Sequence, residues 1–145
     1  MALDASRSKR EFDKFVADGS GNTGLRVITS SHEVIETNAT ATISNTSSPG
    51  AVVLAAVDVT GKQRIGLQFV NAGSVTATFK VFGSLQSSPG TYATNKYTQI
   101  GDDIEVTASA DTAYKAIATT PLKHVLVHAF VASSSADCTV YLTAD

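Results

Sequence analysis

Three histidines, one cysteine and a few acid clusters are the side chains in this chain whose types and spacing could do chemistry. Catalysis needs a nucleophile beside a base, with a third group orienting that base. His32 stands alone, whereas His124 and His128 are four residues apart. On a helix that spacing would stack two imidazoles over one metal ion. The surrounding Lys123-His-Val-Leu-Val-His-Ala-Phe-Val131 reads as a strand, which sets the two rings about 13 Å apart on one face, too far to share an ion. Serine is plentiful, yet no G-x-S-x-G elbow occurs. The 13 acidic residues are scattered mainly through turns and offer no preferred pair for glycosidase chemistry. Together these patterns predict a protein that is not an enzyme and has no cofactor.

Two motifs imitate ligand sites. Gly19-Ser-Gly-Asn-Thr-Gly24 matches the dinucleotide fingerprint by letter, but a strand rather than a helix follows it, so no helix N-terminus is available for a pyrophosphate. It reads instead as a glycine-rich turn into the first strand. Asp18, Ser20 and Asn22 resemble the opening of a calcium loop, but the twelfth position is Thr29 and not a bidentate Glu, which rules out an EF-hand. Asp102, Asp103 and Glu105 leave two readings open, a looser Ca²⁺ site or a polar turn. Cys138, the single cysteine, excludes an intrachain disulfide and a cysteine-based zinc cage, and its neighbours Thr139, Val140, Tyr141 and Leu142 predict a buried, unreactive thiol.

Positioning such residues falls to strands. Ile65, Leu67 and Phe69 alternate along one segment, and Val75, Ala77, Phe79 and Val81 along the next, with turn chemistry at Asn71-Ala-Gly-Ser74 between them, which predicts a hairpin. Residues 25–29, 39–44, 51–59, 104–108, 124–131 and 138–143 are short runs rich in Val, Thr and Ile, bounded by Gly, Pro, Ser and Asp. The segment 124–131 is apolar on both faces, as a central strand would be. About eight such strands predict an all-β fold, an antiparallel β-sandwich or jelly roll over residues 25–145. Residues 113–119 are ambiguous between strand and helix.

The first 24 residues form a separate unit in this reading. Residues 6–16 predict a short helix with Phe12, Phe15 and Val16 on one side, and four cations, Arg7, Lys9, Arg10 and Lys14, lie nearby. Two roles are open: a solvated turn packed on the sandwich, or an arm that places Phe12, Phe15 and Val16 in a neighbouring subunit, with Arg7 and Arg10 on the rim.

In its 145 residues the chain carries 11 Lys and Arg against 13 Asp and Glu, a net charge of −2, which argues against phosphate neutralisation and hence against nucleic-acid binding. No run approaches the roughly 18 apolar residues of a membrane helix, so a soluble chain without a membrane partner is expected. The N-terminus has no apolar stretch behind its basic residues, which predicts cytoplasmic synthesis. On that view Asn38-Ala-Thr and Asn45-Thr-Ser are chance matches to the glycan acceptor pattern.

The stretch 11–27 holds F-x-x-F-V-x-D-x-x-G-N-T-x-x-R-V, and Ile65-Gly-Leu-Gln-Phe-Val-Asn-Ala-Gly, Phe79-Lys-Val-Phe-Gly-Ser and Leu126-Val-His-Ala-Phe-Val-Ala follow it. In these segments the chain resembles small β-sandwich structural proteins of tailed bacteriophage virions. That resemblance implies a virion component, made in the host cytoplasm: a capsid decoration or cement protein that forms a homo-oligomer and contacts the major capsid protein or other virion proteins. A tail, neck or baseplate adaptor is the alternative it leaves open. A carbohydrate-binding adhesion module is a further reading, with Tyr92, Tyr97, Tyr114 and Tyr141 as candidate stacking residues and a glycan as partner, although the chain lacks Trp.

Overall fold

Apolar residues at every second position put one face of each strand inward, and a computed structural model shows two antiparallel sheets built on that pattern. It describes residues 33–109, 112–118 and 121–145. Among these lie nine strands: β1 (Ile35–Ile43), β2 (Ala51–Asp58), β3 (Arg64–Asn71), β4 (Ala77–Ser84), β5 (Thr98–Gln99), β6 (Ile104–Val106), β7 (Thr112–Ala118), β8 (His124–Val131) and β9 (Ala136–Ala144). One sheet has the order β1-β9-β3-β7. The other has the order β2-β8-β4, with the short β5 and β6 both pairing with β4. The fold is therefore a β-sandwich. The ambiguous segment is strand β7, and β8 is central, flanked by β2 and β4 as its two apolar faces require. The expected strand at 25–29 and the helix at 6–16 lie outside the described residues.

The core forms where the inner faces meet. Phe69 of β3 and Phe79 of β4 are fully buried, with ring centroids 5.1 Å apart, and so join one sheet to the other. Leu67, Val81, Val127 and Val140 extend the same layer, and burial of each such side chain contributes about 1.5–3 kcal/mol. Cys138 sits in this core with no exposed surface, and burial pushes its thiol up to about 11, so at neutral pH it is a protonated small hydrophobe. Gly50 enables one close approach. It adopts φ +88°, and a Cβ there would lie 2.1 Å from the Ala129 carbonyl oxygen on β8.

The predicted hairpin between β3 and β4 does not form. β3 pairs with β7 and β9, whereas β4 pairs with β8, β5 and β6, so the chain crosses from one sheet to the other between them. The reason is visible at Asn71, which is fully buried. Its amide nitrogen donates to the carbonyls of Val75, Val106 and Thr107, and its side-chain oxygen accepts from the Gly73 N–H. These bonds fasten a corner. Alternation specifies a shared face for each strand, and Phe69 and Phe79 satisfy it by meeting across the core instead of side by side.

Residues 85–100 run from β4 past β5 and cover part of the outer face of the β2-β8-β4 sheet. There Phe82, Leu126 and Tyr97 form a second, smaller cluster, with Tyr92 packed on it.

Candidate functional site

Side chains that point away from the core decide what each outer face can do. On the β2-β8-β4 sheet these include His124, His128, Lys80 and Phe82. His128 is 4% exposed, with its ring 4.8 Å from Tyr92 and 5.4 Å from Phe82. Among the described residues neither ring nitrogen has a hydrogen-bond partner. Burial pushes the imidazole below its ordinary value, and the nearby Gly50 and Pro49 backbone offsets this in part. His124 is placed apart, its Nδ1 3.1 Å from the Gln86 carbonyl oxygen. The two histidines thus serve separate surroundings, as their spacing on a strand implies.

Lys80 is 9% exposed and donates to Asp103 at 2.5 Å and to Gln99 at 3.3 Å, while its ammonium lies 5.9 Å from the Phe130 ring centre. The hydrogen bond from Lys80, together with one from Gln99, holds the Asp103 carboxyl below its usual range against the opposing effect of burial. Asp103 is therefore the anchor of a turn. Among the described residues no three His, Cys, Asp or Glu side chains gather in a metal-binding arrangement, Asp102, Asp103 and Glu105 included. Of the four tyrosines, Tyr97 is 4% exposed, donates to the Gly90 carbonyl at 2.7 Å and stacks 6.2 Å from Tyr92. Tyr97 is buried in the small cluster, which corrects the expectation that it is a stacking platform for a ligand, and the half-buried Tyr92 packs on the same cluster.

The outer face of the β1-β9-β3-β7 sheet is different. Tyr114 is 77% exposed and Tyr141 46%. Gln68 of β3 is in register with Tyr141 of β9 on one side and Tyr114 of β7 on the other, so the two phenols flank it about 10 Å apart, two strand intervals. Asn38 of β1 continues the row beyond Tyr141. The adjacent row is Glu36, Thr143, Gly66 and Ala116, of which the last three are small. Large side chains beside small ones leave a shallow trough of about 340 Å³ that Tyr114, Tyr141, Gln68, Gly66 and Thr143 help to line.

The charged side chains around this trough are mostly engaged by partners. Arg64 and Asp145 pair at 2.6 Å at one end, and the Thr42 hydroxyl donates to Asp137 at 2.5 Å toward the other. Lys115 helps to line the trough and donates from its ammonium to the Ile100 carbonyl at 2.8 Å. Gln68 and Gly66 were not singled out by sequence reasoning. Their signal was position within β3, since they alternate with the buried Ile65, Leu67 and Phe69. The expected interface residues Arg7, Arg10, Phe12, Phe15 and Val16 lie outside the described residues.

No protein-family model matches the chain, and no curated protein does. Among solved structures, one from work describing how Bacillus endospore appendages form a novel family of disulfide-linked pili is similar at a TM-score of 0.39 and 13% identity, over 77% of this chain and 87% of that one.

Proposed function

We propose that the chain is a non-catalytic structural protein, a decoration or cement component of a tailed-phage virion that acts as a homo-oligomer. The observation behind the structural part is the use made of polar side chains. Asn71 fastens the corner between the sheets, Lys80 holds the turn at Asp103, and Arg64 ties down Asp145. The virion part rests on the resemblance of residues 11–27 to segments of phage structural proteins. A repeated, low-charge β unit suits that role, because many copies on a lattice turn modest contacts into firm attachment.

Quantitative mass spectrometry and cryo-electron microscopy of particles from the genome that encodes the chain test this reading. A shell component is expected in hundreds of copies, whereas a handful of copies moves it to the neck or baseplate. Absence of the chain from purified particles contradicts it. The N-terminal arm is tested by Phe12→Ala with Phe15→Ala, expected to abolish incorporation while leaving the far-ultraviolet circular dichroism unchanged.

A further inference from the structure

An exposed tyrosine ring gains little from folding, and on this sheet face Tyr114 is mostly in water and Tyr141 nearly half so, one on either side of an amide. We propose that the outer face of the β1-β9-β3-β7 sheet binds a neutral oligosaccharide, seating a pyranose ring in the trough between Tyr114 and Tyr141. The proposal is independent of the virion reading.

The chemistry of a pyranose fits the two rows of side chains. Its C–H faces are apolar and pack against aromatic rings, whose faces carry negative charge density that attracts the polarised C–H groups. Its rim is a ring of hydroxyls that need both donors and acceptors. Gln68 offers both from a single amide between the phenols, and the Thr143 hydroxyl lies on the adjacent row. Gly66 makes the depth. It has no side chain, and a Cβ added there would meet Thr143 Oγ1 at 3.0 Å. Ala116 on its other side is also small, so the sugar would rest close to the backbone.

Charge selects among ligands. The ammonium of Lys115 is directed to a backbone carbonyl, and Arg64 is neutralised by Asp145, so the middle of the trough presents hydroxyls, an amide and phenols. An anionic glycan would find the Lys115 ammonium already engaged, Arg64 paired, and the exposed Glu36 carboxylate beside Thr143. Rigidity adds to the fit, because all of these residues sit on strands paired on both sides or on one. Tyrosine also has few torsions to immobilise on binding. A protein partner, including a second copy of this chain, is the other kind of occupant such a face could take, and it is separated by the experiment.

The full chain is titrated calorimetrically with maltohexaose, cellohexaose, chitohexaose and, as the charged probe, a heparin hexasaccharide. Saturable binding of at least one neutral probe is expected. Tyr114→Ala and Tyr141→Ala should each weaken it about tenfold or more, and Gly66→Val, which fills the floor and leaves both rings, should abolish it. Tyr114→Phe and Tyr141→Phe should retain it, since the ring face is kept. Circular dichroism of each variant shows that the fold persists, and the Phe variants keep the test decisive should an Ala variant misfold. No binding of any of the three neutral probes overturns the proposal, as does preference for heparin or undiminished binding in the double Ala variant. A change in light-scattering mass in that double variant, without sugar binding, also overturns it and assigns the face to contact between copies.

Discussion

The two outer faces of this sandwich use the same residue type in opposite ways. On the β2-β8-β4 sheet, Tyr92 and Tyr97 fold down with residues 85–100 and pack on Phe82, Leu126 and His128. On the β1-β9-β3-β7 sheet, Tyr114 stands in solvent and Tyr141 is about half exposed, on either side of Gln68. One face is a second core whose rings hold a long connection in place; the other is a surface whose rings are left open to solvent. Burial, more than residue type, therefore separates a structural aromatic from a candidate binding aromatic.

This contrast can be broken most forcefully at Phe82, which is 4% exposed and touches Tyr92 at 4.7 Å. Phe82→Ala should cost about 3–5 kcal/mol in urea unfolding and open residues 85–100 to proteolysis. The corner that joins the sheets comes next. Asn71→Ala removes the partner of three backbone carbonyls and of the Gly73 N–H, and should cost about 2–3 kcal/mol by the same assay while disturbing neither outer face.

Acid sharpens the difference. Because the folded His128 resists protonation, the unfolded chain binds more protons once the pH drops below about 6.5, and stability must fall from there toward the lower folded value. His128→Leu should flatten that part of the pH–stability curve, and the loosening should appear as hydrogen exchange at residues 85–100 and not on the tyrosine-bearing face. The smallest effect is expected at the Lys80–Asp103 pair. Asp103 is substantially exposed, so Asp103→Asn should cost about 1 kcal/mol or less. Its contribution is present above the ordinary carboxylate range and is lost as the pH falls through the depressed folded value.

The strands were legible because alternation is a local property. Ile65, Leu67 and Phe69 declare a buried face without reference to any partner, and so do Cys138, Val140 and Leu142. That same alternation places Tyr141 on the outer side, a signal present in the sequence. Pairing was not legible. The inward faces of β3 and β4 look alike whether the strands lie side by side or across the core, and the deciding contacts of Asn71 come from residues 106 and 107, more than thirty positions away. β5 has two residues, too few to show any period. Tyr92 and Tyr97 sit in a stretch broken by Pro89 and Gly90, where periodicity gives no direction to a side chain, so their burial could only be learned from the fold.

The division of labour between the faces is tested most directly by one series of unfolding free energies, Tyr→Ala at each of the four positions. The predicted order of loss is Tyr97, then Tyr92, then Tyr141 and Tyr114, with the last two within about 0.5 kcal/mol of the parent chain. A loss at Tyr114 or Tyr141 as large as that at Tyr97 would show that these rings are structural after all, and would contradict the account.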